Sequence, residues 1–256
     1  MTDFAGERIA KVMARAGLCS RREAERLIAE GKVSVNGKKL TSAARNVTAG
    51  DRIEVAGASL PRREETRLWR YHKPPGLVVS HRDPQGRPSV FDRLRQQLPR
   101  VVSVGRLDLT TEGLLLLTND GGLARALEHP SAGFVRRYRV RAYGKVDEAM
   151  LARIAGGVEI GGVRYGPVAA SIDQVQGDNV WLNIAITEGK NREVRNICEY
   201  LGLRVNRLIR VAFGPFTLGE LRRGGVEEVP PRVMRHELGP IIGKPHANRR
   251  RKTQGS

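Results

Sequence analysis

The sequence is short of the features that mark secreted, metal-binding or membrane proteins. It has two cysteines in 256 residues, Cys19 and Cys198, far apart and both inside helical patterns. A disulfide framework or a zinc site is therefore not expected, and both read as buried thiols of a reducing cytoplasm. No apolar run approaches the roughly 20 residues that cross a bilayer. The opening MTDFAGERIAKVM carries acids early and lacks an apolar h-region, so no signal peptide is expected. His72, His81, His129, His236 and His246 show no ligand spacing, which gives no metal site. Acids are scarce: 27 Asp plus Glu stand against 45 Lys plus Arg, a formal charge of +18. Such a surplus points to a polyanionic partner. Nucleic acid fits better than a membrane surface, because no basic amphipathic anchor stands out. With 40% hydrophobic and 28% charged residues, the chain supports a sizeable core, and its length suits a small domain followed by a larger one.

Residues 6–55 read as a compact unit. Ile9, Val12, Met13 and Ala16 recur at helical spacing and Gly17 can end that helix. Ser20-Arg21-Arg22-Glu23 is a capping box opening a second helix, with Ala24, Leu27 and Ile28 inward and Gly31 closing it. Val33 and Val35 alternate, Asn36-Gly37 supplies a tight hairpin turn, and Ile53 and Val55 give a last short strand. Arg15, Arg21, Arg22 and Arg26 form a basic helical surface, read either as a solvated face or as an RNA-binding one. Residues 56–67 are polar and read as a linker. From 68 to 230 many strands mix with a few helices. Leu114 to Leu117 is apolar on both faces and so central; Asn119 or Asp120 can cap a helix through Leu123 and Leu127. Tyr138, Val140 and Ala142 alternate with Arg137, Arg139 and Arg141, a strand with one basic face. Val180, Leu182, Ile184 and Ile186 alternate likewise, and Val194, Ile197, Cys198 and Leu201 mark the buried stripe of a helix. The mixed order predicts an α+β chain: a helix-helix-hairpin domain, then a mixed, largely antiparallel sheet. Residues 231–256, with Asn248-Arg249-Arg250-Arg251-Lys252 near the end, read as a disordered basic tail.

The candidate chemistry lies in Gly105-Arg106-Leu107-Asp108-Leu109-Thr110-Thr111-Glu112-Gly113, a carboxylate on a loop between core strands. By itself, Asp108 could equally organise the turn at Thr110 and Thr111. The stretch resembles the Asp-containing motif of the pseudouridine synthases, in the branch that modifies ribosomal RNA and carries an N-terminal RNA-binding domain of the ribosomal-protein S-four type. Other segments agree in order. Tyr71-His72-Lys73-Pro74-Pro75-Gly76 is similar to the family's opening strand and Lys-Pro-x-Gly loop. Arg137-Tyr138-Arg139-Val140 is similar to its basic-x-Tyr strand. Glu188 to Arg195 is similar to the helix that presents a basic residue, with Arg192-Glu193 where the family usually offers His or Gln. Ser20 to Gly37 resembles the RNA-binding module. The resemblance covers residues 6 to 230.

The resemblance implies an isomerase. The N1–C1′ bond of a uridine breaks, the uracil turns, and C5 joins C1′; no redox change occurs, so no cofactor and no metal are implied. Asp108 becomes the catalytic carboxylate, attacking C1′ or taking a proton from C2′. Arg195 becomes its cation, able to grip it bidentately, although spacing alone would pair Arg195 with Glu199. Tyr138 becomes the planar group against the flipped base, where its phase with Val140 also suits a plain core tyrosine. Leu208 is the apolar packing residue or simply core, and Arg106 and Lys73 are expected phosphate or base contacts. The segment Asp83 to Asp92 resembles members acting on large-subunit ribosomal RNA more than those acting on the small subunit. The partner implied is therefore ribosomal RNA or an assembly particle, met by a cytoplasmic monomer. The alternative is a non-catalytic RNA-binding assembly factor on the same fold. A metal-dependent nuclease would want paired carboxylates, which the sequence does not offer.

Overall fold

The computed structural model describes residues 6–62 and 64–242. At the N-terminus, helices Ile9–Arg15 and Arg21–Ala29 pack on a four-stranded sheet. The Ser20 hydroxyl accepts from Glu23 N at 3.1 Å and caps the second helix. The Glu23 carboxylate turns to Arg26 instead of back to Ser20, so half of the capping box forms. Asn36 and Gly37 both have positive φ, 52° and 78°, as a two-residue hairpin turn requires. Ile9, Met13, Ala24, Ile28, Val33, Val35 and Ile53 close the core of this unit.

The larger part is built on a nine-stranded sheet among the described residues. Along its main path the order is Ala169–Gln176, Asn179–Ile186, Arg136–Tyr143, Arg204–Phe213, Glu112–Thr118, Leu68–Lys73 and Val226–Glu228. Every pairing is antiparallel except the short parallel contact of Ile209 with Glu112 and Arg210 with Gly113. All seven residues of Glu112–Thr118 are buried, the signature of a central strand covered on both faces. Leu115 and Leu117 pack with Trp69, Tyr71 and helix Val90–Leu94, whereas Leu114 and Leu116 pack with helices Gly121–Glu128 and Pro231–Ile242. Tyr138, Val140, Leu182 and Ile184 lie under helices Glu148–Ala155 and Glu193–Tyr200. Register places Tyr138 beside Arg210 and Arg210 beside Gly113, so Tyr138 faces the same side of the sheet as Leu115 and Leu117. Asp120, through Gly122 N at 2.7 Å, caps helix Gly121–Glu128; Asn119 instead accepts from Arg67 N at 2.8 Å.

Two stretches differ from expectation. The polar segment 56–67 begins inside the N-terminal unit: Ala58–Ser59 pairs with Ile53–Val55 around the positive-φ residues Ala56 and Gly57, and Leu60 packs on that core. Residues 231–242 are a helix rather than the start of a disordered tail. Met234 and Leu238, four residues apart on one face, bury against helix Gly121–Glu128, and that burial outweighs the local basic composition. Asn248 to Lys252 lie outside the described residues. Among the described residues no helix is long and apolar enough to cross a membrane.

Candidate active site

Asp108 sits on the loop between strands Val102–Val104 and Glu112–Thr118, and two sets of bonds hold that loop down. Gly76 N donates to Leu109 O at 2.8 Å, which ties the Lys-Pro-Pro-Gly segment to it. Lys73 Nζ donates to Thr111 O at 2.8 Å, Pro74 O at 3.0 Å and Leu109 O at 3.3 Å. Lys73 is 0% exposed, and burial lowers its ammonium to about 8, against the opposing pull of Asp108 and Glu112. The expected role of Lys73 as a phosphate or base contact is thus corrected: its three donors are spent on carbonyls, and it positions the loop. Gly113 follows at φ +105°, and a Cβ there would come within 2.3 Å of Arg210 O, so the parallel contact beside the loop accepts only glycine.

Two cations approach the carboxylate. Arg195 Nε and Arg192 Nη1 each lie 3.9 Å from Asp108 Oδ2. That separation is an ion pair and is too long for a hydrogen bond, so the bidentate grip expected of Arg195 is not formed. Its Nη2 donates to Thr110 Oγ1 at 3.0 Å, and its buried Nε has no hydrogen-bond partner. Burial and the neighbouring Arg192 pull the Arg195 guanidinium below its usual range, and Asp108 opposes them. Among the described residues no ion pair joins Arg195 to Glu199. Arg192 was not expected at the carboxylate. It takes φ +51° just before helix Glu193–Tyr200, a left-handed turn that costs a non-glycine residue about 1 kcal/mol and aims its side chain at Asp108. The Asp108 side chain stays 33% exposed.

Beside the carboxylate opens a cavity of about 990 Å³ whose lining includes Arg106, Asp108, Tyr138, Leu208 and Arg210. Arg106 is exposed; Tyr138 and Leu208, 9% and 4% exposed, belong to both the cavity wall and the core. Two arginines that sequence reasoning passed over are buried in the same wall. Arg136 Nη1 donates to Phe134 O at 2.7 Å, Arg210 Nε donates to Leu114 O at 2.7 Å, and both guanidiniums rest on the Phe213 ring. Arg210 was detectable, since it falls in phase with Leu208 and Ala212 on an inward strand face. Glu193 is also buried there. Burial pushes its carboxyl up to about 7, and repulsion from Glu188 adds to the shift. Burial pushes the carboxyl of Glu112, behind the loop, up, but Arg207 and Arg223 together outweigh it and hold the group below the usual carboxylate range.

Of the four N-terminal arginines expected to meet RNA, Arg15 pairs with Glu7, and Arg26 pairs with Glu23 and Glu30. Arg21 and Arg22 extend exposed, with no ion pair among the described residues.

Comparison with known proteins bears on both parts. The S4 domain pattern matches residues 7–53, and the RNA pseudouridylate synthase pattern matches residues 67–200. An uncharacterized RNA pseudouridine synthase of Rickettsia felis is 46% identical over 228 residues, covering 89% of this chain and 99% of that one. A ribosomal large subunit pseudouridine synthase B of Pasteurella multocida is 45% identical, covering 88% of this chain and 67% of that one. The like-named protein of Salmonella typhi is 44% identical, covering 87% and 79%. A crystal structure of a pseudouridylate synthase superposes with a TM-score of 0.63 at 27% identity, covering 91% of this chain and all of that one.

Proposed function

The chain belongs to the RNA pseudouridylate synthase family, and on that premise we propose that it isomerises one uridine of large-subunit ribosomal RNA, with Asp108 as the catalytic carboxylate. The observation that carries the reading is the carboxylate of Asp108 at the mouth of a cavity roomy enough for a flipped nucleotide, with two guanidiniums 3.9 Å away and Tyr138 in the wall. The flipped uridine enters that cavity. Asp108 either attacks C1′ or takes a proton from C2′, and the electron pair of the N1–C1′ bond leaves with the base, spread over O2 and O4. The buried guanidiniums of Arg136 and Arg210 suit an anionic base. The base turns against Tyr138 and Leu208. C5 then bonds to C1′ as the Asp108–C1′ ester breaks or, on the other route, as Asp108 returns its proton to C2′, and the C5 proton is lost as N1 gains one. Arg195 and Arg192 hold Asp108 in register, and exposed Arg106 meets the RNA at the rim. The large-subunit assignment rests on the relatives named synthase B and on the segment Asp83 to Asp92. A cytoplasmic monomer acting on ribosomal RNA or an assembly particle completes the reading.

The test is carbodiimide-dependent primer extension on both ribosomal RNAs after incubation with the purified chain. Wild type is expected to create one stop in large-subunit RNA. Asp108→Asn should bind that RNA with unchanged affinity and lose product formation by about 10⁴-fold or more. Product from the Asn variant would refute the role of Asp108. Binding by wild type without a stop in either RNA would leave the non-catalytic assembly factor.

A further inference from the structure

The strand Arg136–Tyr143 has a second face that the reaction does not use. Tyr138, Val140 and Ala142 point to the cavity and core; Arg137, Arg139, Arg141 and Tyr143 are exposed on the opposite side. Alternate strand residues stand about 6.7 Å apart, so the three arginines form a regular row. Arg207 lies directly opposite Arg141 on one neighbouring strand and Trp181 opposite it on the other, while Arg204 lies opposite Tyr143. Arg139 stacks over Trp181 at 4.6 Å and Arg204 over Tyr143 at 5.1 Å. Two acids answer this array: Asp173 takes Arg139 at 2.7 Å, and Glu112 takes Arg207 at 2.5 Å. Arg137 and Arg141 have no ion pair among the described residues.

A solvated sheet face normally mixes signs, and like charges facing each other across strands are destabilising. Helices Gly121–Glu128 and Pro231–Ile242 cover the Leu114 and Leu116 half of this same face, yet the arginine half is left open. Basic side chains interleaved with aromatic rings on an open sheet suit a polyanion with stackable bases.

We propose that the open face bearing Arg137, Arg139, Arg141, Arg204 and Trp181 is a second RNA-contact surface, which binds an RNA segment other than the one presenting the target uridine. The separation follows from strand alternation. Asp108 and Tyr138 work on the other side of the sheet, so the strand that enters the cavity does not reach these arginines. The inference rests on the proposed function, from which it takes a ribosomal RNA substrate with one target uridine. The surface recognises phosphates and exposed base faces of a structured RNA, so it matters when the target hairpin is joined to neighbouring helices.

The test compares the full chain with Arg137→Gln/Arg141→Gln on two transcripts, a hairpin carrying the mapped uridine and a longer ribosomal fragment in which it is joined to adjacent helices. On the long fragment Kd should rise, and the slope of log affinity against log salt should fall by about 1.5, at ~0.7–0.9 for each phosphate no longer neutralised. On the hairpin, Kd and kcat should match wild type. A control, Arg232→Gln/Arg235→Gln, removes equal charge from helix Pro231–Ile242 and should leave the slope near wild type. The inference is overturned by an unchanged slope on the long fragment, by an equal fall in the control, or by an equal loss on the hairpin. Wild-type product on the hairpin checks the catalytic reading separately.

Discussion

Lys73 serves the site without facing it. A lysine in a Lys-Pro-Pro-Gly loop of an RNA-binding chain invites assignment as a phosphate contact, and nothing in the local sequence says otherwise. Its burial depends on residues 109–111 folding back over it, an approach across more than 35 positions that no local pattern encodes. Arg192 escaped for a related reason, since its aim at Asp108 comes from a left-handed φ. By contrast, the inward face of Tyr138 was legible from its alternation with Arg137 and Arg139, whereas Leu208 entered only through the family resemblance. The buried role of Lys73 separates cleanly from a contact role. Lys73→Met keeps the length and removes every donor, leaving carbonyls around Asp108 short of partners. Stability should fall by about 2 kcal/mol, and kcat by about tenfold as the loop loosens. RNA affinity and its salt slope should stay at wild-type values. A slope lowered by about 0.7–0.9 would show that Lys73 touches phosphate after all.

Helix Glu193–Tyr200 was readable as an element from the stripe of Val194, Ile197, Cys198 and Leu201, all of which are buried. Helix Pro231–Ile242 was not, because two apolar anchors in a basic stretch give a faint period that becomes decisive only against the helix they meet. The first residue of Glu193–Tyr200 carries a testable charge. Glu193 is 3% exposed, its Oε2 accepts from Lys190 N at 2.8 Å, and Oε1 has no partner. Burial raises its carboxyl to about 7. Between the ordinary carboxylate value and about 7 the folded chain holds a proton that the unfolded chain releases, so stability falls as pH rises through that window. Near pH 8 the ionised form bears the whole cost. Glu193→Gln removes it and should stabilise by on the order of 2–3 kcal/mol near pH 8, with a much smaller gain near pH 5. Calorimetric melts at the two pH values decide: equal Tm shifts, or none near pH 8, would show that burial does not raise this carboxyl.

At the scale of the whole molecule the informative quantity is where the +18 charge is left unanswered. Many arginines are occupied: Arg15 and Arg26 by acids of their own helical unit, Arg207 and Arg223 by Glu112. Among the described arginines without ion pairs are Arg21 and Arg22 on the N-terminal helix and Arg137 and Arg141 on the open sheet face. Composition announced the polyanionic partner but could not sort paired from free arginines, since pairing is set by the tertiary fold. If the two free sets bind different phosphates of one RNA at once, their contributions to the salt slope are independent. Arg21→Gln/Arg22→Gln should then lower the slope on a long ribosomal fragment by about 1.5, and the quadruple variant with Arg137→Gln/Arg141→Gln by about 3, with saturating kcat unchanged. Filter binding across a salt series measures both. A quadruple variant no shallower than either double would mean that the two surfaces compete for the same stretch of RNA, which would place the N-terminal unit and the open sheet face on one path rather than two.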